Sequence, residues 1–184
     1  EFRRVLFRSK KLYGDKRMKR GTKIGWLLIA LSVILSVWVI VSQSSDASQT
    51  TESGLVLSDD GTVLEQYTGS GGTVTIPDGV TTISAGVFKE KDVTQVIMPS
   101  SVTSMGTGVF SGCSSLASVS LSTSLNSIPE DSFRECLSLG SVAIPDSATT
   151  IASNAFYGCA SLSSVSIPAS VSNISTDAFS GCGN

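Results

Sequence analysis

Cys113, Cys136, Cys159 and Cys182 are the side chains of this sequence with the widest chemical latitude, and they recur every 23 residues. A thiol can ligate a metal, form a disulfide, act as a nucleophile or pack as a small apolar group. No two of them form a C-x-x-C pair, so zinc is a poor fit. Nucleophilic use needs a base, and the sequence contains no histidine, which also removes Ser-His and His-metal arrangements. Copies stacked at strand spacing would bring neighbouring cysteines about 5 Å apart, within disulfide range, but with parallel side-chain vectors that disfavour the bond. The favoured reading is buried free thiols that fill space; one or two disulfides in an oxidising exterior are the alternative. Carboxylates such as Asp131, Glu135 and Asp146 have no spacing that demands pairing and read as a solvated acidic surface. The sequence therefore predicts no catalytic, cofactor-binding or metal site, and a protein that is not an enzyme.

The cysteines belong to a larger period. The motif V-x-I-P-x-x-V-x-x-I-x-x-x-A-F-x-x-C-x-x-L returns with substitutions, and Phe88, Phe110, Phe133, Phe156 and Phe179 are spaced 22, 23, 23 and 23 residues apart. Ile76, Met98, Leu121, Ile144 and Ile167 step identically. Several ladders in one register define a stacked array, here five units over 74–184 with the last one cut short. Within each unit V-x-[I/L/M] alternates as a short half-buried strand does. Pro77, Pro99, Pro145 and Pro168 then end the strand, and Ser122 stands in the third copy. The rest of the unit predicts short turns or a brief helical turn. One strand per unit stacks into a parallel ladder whose core is aromatic and aliphatic, with residues such as Leu139, Val142, Ile144, Ile151 and Phe156. The cut-off last unit predicts exposed apolar positions and a fragment of reduced stability or a tendency to associate.

The outward positions of those strands form the candidate ligand-binding face: Thr73 and Thr75, Gln95 and Ile97, Ser118 and Ser120, Ser141 and Ala143, Ser164 and Ser166. Small hydroxyl-rich rows suit an extended protein or a glycan, but the Trp, Tyr and Arg anchors of binding hot spots are missing. A competing reading treats them only as solubilising strand residues.

Upstream, Asp60-Gly61 lies between two apolar runs in LVLSDDGTVLEQY, the signal for a hairpin that would cap the array over 54–73. Residues 43–53 read as a flexible linker. Residues 24–42 carry no charge, and as a helix would rise about 28 Å, close to the ~30 Å of a bilayer core. Trp26 and Trp38 stand toward its ends. Ten of the thirteen Lys and Arg residues precede it, which predicts a cytoplasmic basic segment (1–23), a single-pass anchor and extracellular repeats. A cleaved signal is the alternative and leads to the same exterior location. Within 1–9, RVLFRS matches an in-frame reading of a common sequencing adapter and is set aside from fold reasoning.

From Gln43 onward three cations face thirteen acids, a formal charge of −10. Such a surface is unsuited to nucleic acid. Asn173-Ile174-Ser175 matches the N-glycosylation triplet, a short motif with frequent chance matches.

The segment SVAIPDSATTIASNAFYGCASLSSVSIPASVSNISTDAFSGC resembles the BspA-type leucine-rich repeats, and the likeness extends over roughly 55–184. Lys91 departs from it where other copies have Cys, as do Val87, Val109 and Ser132 before the Phe. The resemblance implies a right-handed leucine-rich-repeat solenoid on a cell surface, often used in attachment. The expected function is recognition or adhesion toward an extracellular protein or surface glycan, with membrane attachment through 24–42 and no cofactor. The alternatives are an accessory or spacer region of a larger surface enzyme, and a structural surface-layer component.

Overall fold

The computed structural model describes residues 49–183. The expected basic segment (1–23), the expected anchor (24–42) and most of the expected linker (43–53) lie outside them. Among the described residues no helix is long and apolar enough to cross a membrane.

The described residues open with β1 (Gln49–Thr50) and β2 (Leu55–Leu57), which pair antiparallel, and β2 pairs antiparallel with β3 (Val63–Tyr67). The β2–β3 turn is built on one carboxylate: Asp60 Oδ1 accepts from the Ser58 hydroxyl at 2.7 Å, the Thr62 amide at 3.0 Å and the Thr62 hydroxyl at 2.8 Å. Gly61 follows in the left-handed region at φ 72°. The three donors, led by Ser58, hold the Asp60 carboxyl down at about 2.

Two parallel ladders then run through the repeats. The first is made of β4 (Gly72–Thr75), β6 (Val93–Ile97), β8 (Ser118–Ser120), β10 (Ser141–Ala143) and β12 (Ser164–Ser166). The second is made of β5 (Thr82–Ile83), β7 (Ser104–Met105), β9 (Ser127–Ile128), β11 (Thr150–Ile151) and β13 (Asn173–Ile174). β3 joins the second ladder by pairing in parallel with β5, Leu64 opposite Ile83. The inner residue of each first-ladder strand turns toward the core: Val74, Val96 and Val142 are buried between exposed neighbours, and Val119 and Val165 are partly buried. Where a brief helical turn was one expectation, the second ladder's two-residue strands and tight turns occupy the segment instead.

Both ladders open at the third repeat. Ser84, Gly106, Ala152 and Ser175 each donate their amide to the carbonyl of Leu64, Ile83, Ile128 and Ile151 respectively. Pro129 holds the corresponding place and has no N–H to give, so β9 pairs with β11 but not with β7. On the first ladder β8 and β10 are likewise unpaired. That interruption falls beside Ser122, the copy without proline, where the buried Ser122 hydroxyl accepts from the Ser124 amide at 3.1 Å.

The core is a stack. Phe88, Phe110, Phe133, Phe156 and Phe179 lie ring over ring, with centroids 5.1–5.2 Å apart and planes within 12° of parallel. Strand spacing of roughly 4.8 Å sets this separation, and the first four rings are fully buried. Tyr67 extends the stack by one ring, tilted 47° to Phe88. At the other end Ile167 and Ile174 are 41% and 49% exposed, with Val165, Val171 and Phe179 partly buried.

Each repeat turns twice through left-handed backbone, two residues before and two residues after its Phe. The first set is Gly86, Gly108, Asp131, Asn154 and Asp177; the second is Glu90, Gly112, Glu135, Gly158 and Gly181. These turns aim alternate amides along the array, so that Phe88, Phe110, Phe133 and Phe156 donate to the carbonyls of Val109, Ser132, Ala155 and Ala178.

Candidate interaction face

The outward strand positions come together as two rows. Thr73, Gln95 and Ser118 are opposite one another, as are Thr75, Ile97 and Ser120. Beyond the interruption Ser141 faces Ser164 and Ala143 faces Ser166. All ten side chains are exposed, and Ile97 is the large apolar one among them at 37%. The alternation that buries Val74 and Val96 is what turns their neighbours outward. Without an ionisable group, these rows can offer hydroxyl and amide hydrogen bonds and contact with Ile97, and no acid–base chemistry.

The cysteines lie on the inside. All four are free thiols; Cys113, Cys136 and Cys159 are fully buried and Cys182 is half-buried. Each thiol donates to the Phe carbonyl of the preceding repeat: Cys113 to Phe88 at 2.8 Å, Cys136 to Phe110 at 3.2 Å, Cys159 to Phe133 at 3.0 Å and Cys182 to Phe156 at 3.1 Å. The same carbonyls accept an amide within their own repeat, for example Cys113 to Phe110 at 3.0 Å. Burial pushes the Cys113 thiol up to about 11 and that of Cys159 to about 12, and raises Cys136 and Cys182 as well. Such groups stay protonated and unreactive in the folded chain.

Arg134 gathers the one cationic cluster of the described residues that pairs with acids. Its guanidinium lies 3.7 Å from Asp131, 3.5 Å from Glu135 and 4.6 Å from the centre of the Tyr157 ring. Asp131 and Glu135 thus share a partner, whereas no such pair involves Asp146. Arg134 and Asp131 are part-exposed and Glu135 is exposed, and at 3.5–3.7 Å the pairs add little stability. Among the described residues no group of three or more potential ligands is placed to hold a metal.

Tyr67 and the left-handed turn positions are among the features that the sequence does not show. Tyr67 stands 21 residues before Phe88, one short of the Phe interval, yet occupies the aromatic stack. The left-handed positions are occupied by Gly, Asp, Asn and Glu in turn, a mixture whose common signal is its fixed distance from Phe.

A parallel-strand solenoid with a repeating aromatic core and an exposed strand face defines a leucine-rich-repeat protein. The family profile described as BspA type leucine rich repeat region matches residues 66–184 in six copies, and the chain belongs to that family. The matched region begins at residue 66, within β3 and ahead of the five units counted by phenylalanine spacing. A search of curated proteins finds no match.

Among solved structures, a leucine-rich-repeat protein of T. pallidum is 31% identical, with a TM-score of 0.65 over 72% of this chain and 66% of its own. A leucine-rich cell surface protein of Faecalibacterium prausnitzii is 36% identical, with a TM-score of 0.64 over 69% of this chain and 35% of its own. A pneumococcal vaccine antigen, at 18% identity and a TM-score of 0.62, shares the fold. The chain spans less than two thirds of the length of these proteins. The family and the first two of these neighbours are leucine-rich-repeat proteins, a class of protein-interaction repeats.

Proposed function

We propose that this chain is a membrane-anchored, extracellular recognition module that binds an extended protein or surface glycan through the two strand rows. The observation that carries the reading is the pair of in-register rows, Thr73-Gln95-Ser118 and Thr75-Ile97-Ser120. A repeated strand lattice presents like groups at about 4.8 Å intervals, which suits a ligand that is itself extended or repetitive. The likeness to a cell surface protein supports the exterior location, as does the charge asymmetry around 24–42. The hairpin β2–β3 acts as the cap, because it covers the apolar end of the second ladder through β3. Residues 24–42 hold the assembly in the membrane.

The test is binding of the full chain, in detergent micelles, to panels of extracellular matrix proteins and glycans. The double variant Gln95→Ala/Ile97→Arg is expected to lose at least ten-fold in affinity with an unchanged melting curve. No binding to either panel, or binding that ignores the double variant, overturns the face. Protease accessibility of the repeats on intact cells tests the location, and protection there overturns it.

A further inference from the structure

The hairpin covers one ladder and leaves the other open. β3 pairs with β5, whereas β4 ends its sheet, with β6 on one side and no described strand on the other. The amides of Gly72 and Ile76 donate across to Asp92 and Ile97 at 3.0 Å. In a parallel strand alternate residues face opposite neighbours, so the N–H and C=O groups of Thr73 and Thr75 point away from β6, toward the open edge.

A cleft of about 450 Å³ lies against this edge, lined by Thr73 and Val74 of β4, by the β3–β4 loop at Thr68–Gly71 and by the β1–β2 turn at Thr51–Gly54. Its walls are fixed to each other. The Thr68 amide donates to the Gly54 carbonyl at 2.8 Å and the Thr68 hydroxyl adds a second bond at 3.1 Å. The Gly71 amide donates to the Tyr67 hydroxyl at 3.1 Å. Backbone lies on backbone here: a Cβ on Gly54 would run into Gly69, and a Cβ on Gly69 would run into the Tyr67 hydroxyl. The slot is thus built into the fold, with strand edge on one side and hydrogen-bonded, closely packed loops on the other.

We propose that β4 takes up an extended, lysine-bearing polypeptide segment, which adds a strand at Thr73 and Thr75 and fills this cleft. An open row of paired donors and acceptors calls for a backbone of strand form, and exposed edges are where such additions occur. Charge selects the segment. Glu52 is the charged residue in the cleft wall, and within 49–183 twelve carboxylates outnumber three cations. The site uses the backbone edge of Thr73 and Thr75, whose side chains open the strand rows, and does not depend on a ligand bound to those side chains.

The test uses the full chain in detergent micelles with a fluorescent seven-residue peptide of alternating threonine and valine carrying two lysines. Binding is expected by anisotropy, with slowed amide exchange at Thr73 and Thr75. Thr75→Pro removes an edge donor that no described residue uses, a substitution edge strands tolerate, and is expected to weaken binding at least ten-fold. Peptide N-methylated at alternate residues, added to the unaltered protein, tests the same bonds without touching the fold and is expected to fail. Glu52→Lys is expected to reverse the preference between lysine and glutamate peptides. Binding that survives both Thr75→Pro and N-methylation overturns the proposal. So does protection of the Thr73 and Thr75 amides without peptide, whether in the monomer or in a self-associated form that assigns the edge to a second copy.

Discussion

The Cys136 thiol reaches 3.2 Å across one repeat to the carbonyl of Phe110, which also accepts the Cys113 amide from its own turn. This one contact explains why cysteine returns with the phenylalanine. A sulfur is small and apolar enough to lie in the core, yet still offers a donor to a carbonyl whose second lone pair is otherwise buried without a partner.

Replacing Cys136 by Ala removes a packed sulfur and one of two donors to Phe110. The expected cost is about 1–2 kcal/mol, at the low end for core truncation because the Cys113 amide remains. Cys182→Ala, at the half-buried end of the ladder, is expected to cost less. Urea unfolding of the two variants checks the order, and equal costs would remove the carbonyl contact from the account.

The buried thiols also predict how stability responds to alkali. A free cysteine ionises near 9, whereas Cys113 and Cys159 are held at about 11 and 12 when folded. Below 9 both states keep the proton and the contribution is whole. Above it the unfolded chain loses protons the folded chain retains, so stability falls as pH rises, by up to about 1.4 kcal/mol per pH unit for each thiol. Melting temperatures measured from pH 8 to 11 are expected to decline, and a variant with Cys113 and Cys159 both changed to Ala is expected to decline less steeply.

Phe133 lies between Phe110 and Phe156, at 5.2 Å and 5.1 Å, and is fully buried. Phe133→Ala opens a void that neighbours on two sides cannot close, because each is fixed by its own backbone ladder. A loss of about 3–5 kcal/mol is expected, a large share of a domain's stability. Phe179→Ala, at the partly exposed end, is expected to cost markedly less, and calorimetry of both variants distinguishes a stacked core from independent packing sites.

The first ladder and the aromatic stack could be read from the chain because their signals are local and repeated: Val74 and Val96 alternate with outward residues, and Phe88 to Phe179 keep their interval. All ten outward positions are exposed for the same reason. The second ladder was hidden because two residues, such as Thr82–Ile83, are too few to show alternation. Tyr67 was hidden by a shortened interval and by its place in a hairpin. The thiol contacts were beyond sequence reasoning altogether, since they pair atoms 25 or 26 residues apart through the closure of one full turn.

Glu135 exposes a cost that the repeats carry unevenly. It is left-handed at φ 58°, as is Glu90, while the same position holds Gly112, Gly158 and Gly181. A non-glycine residue there is strained by about 1 kcal/mol or more. The Glu side chains are accommodated by glycine in the next repeat: a Cβ on Gly158 would meet Glu135 Cγ at 3.4 Å, and one on Gly112 would meet Glu90 Cγ at 3.0 Å. Glu135→Gly is therefore expected to raise stability by up to about 1 kcal/mol, since relief of strain is partly offset by the freer unfolded chain. Gly112→Ala is expected to destabilise by at least as much, because it adds strain at φ 74° and crowds Glu90. The combined variant Glu90→Gly/Gly112→Ala separates the two terms. If crowding matters, the double variant is more stable in thermal unfolding than the sum of the two single changes; if strain alone acts, the effects simply add.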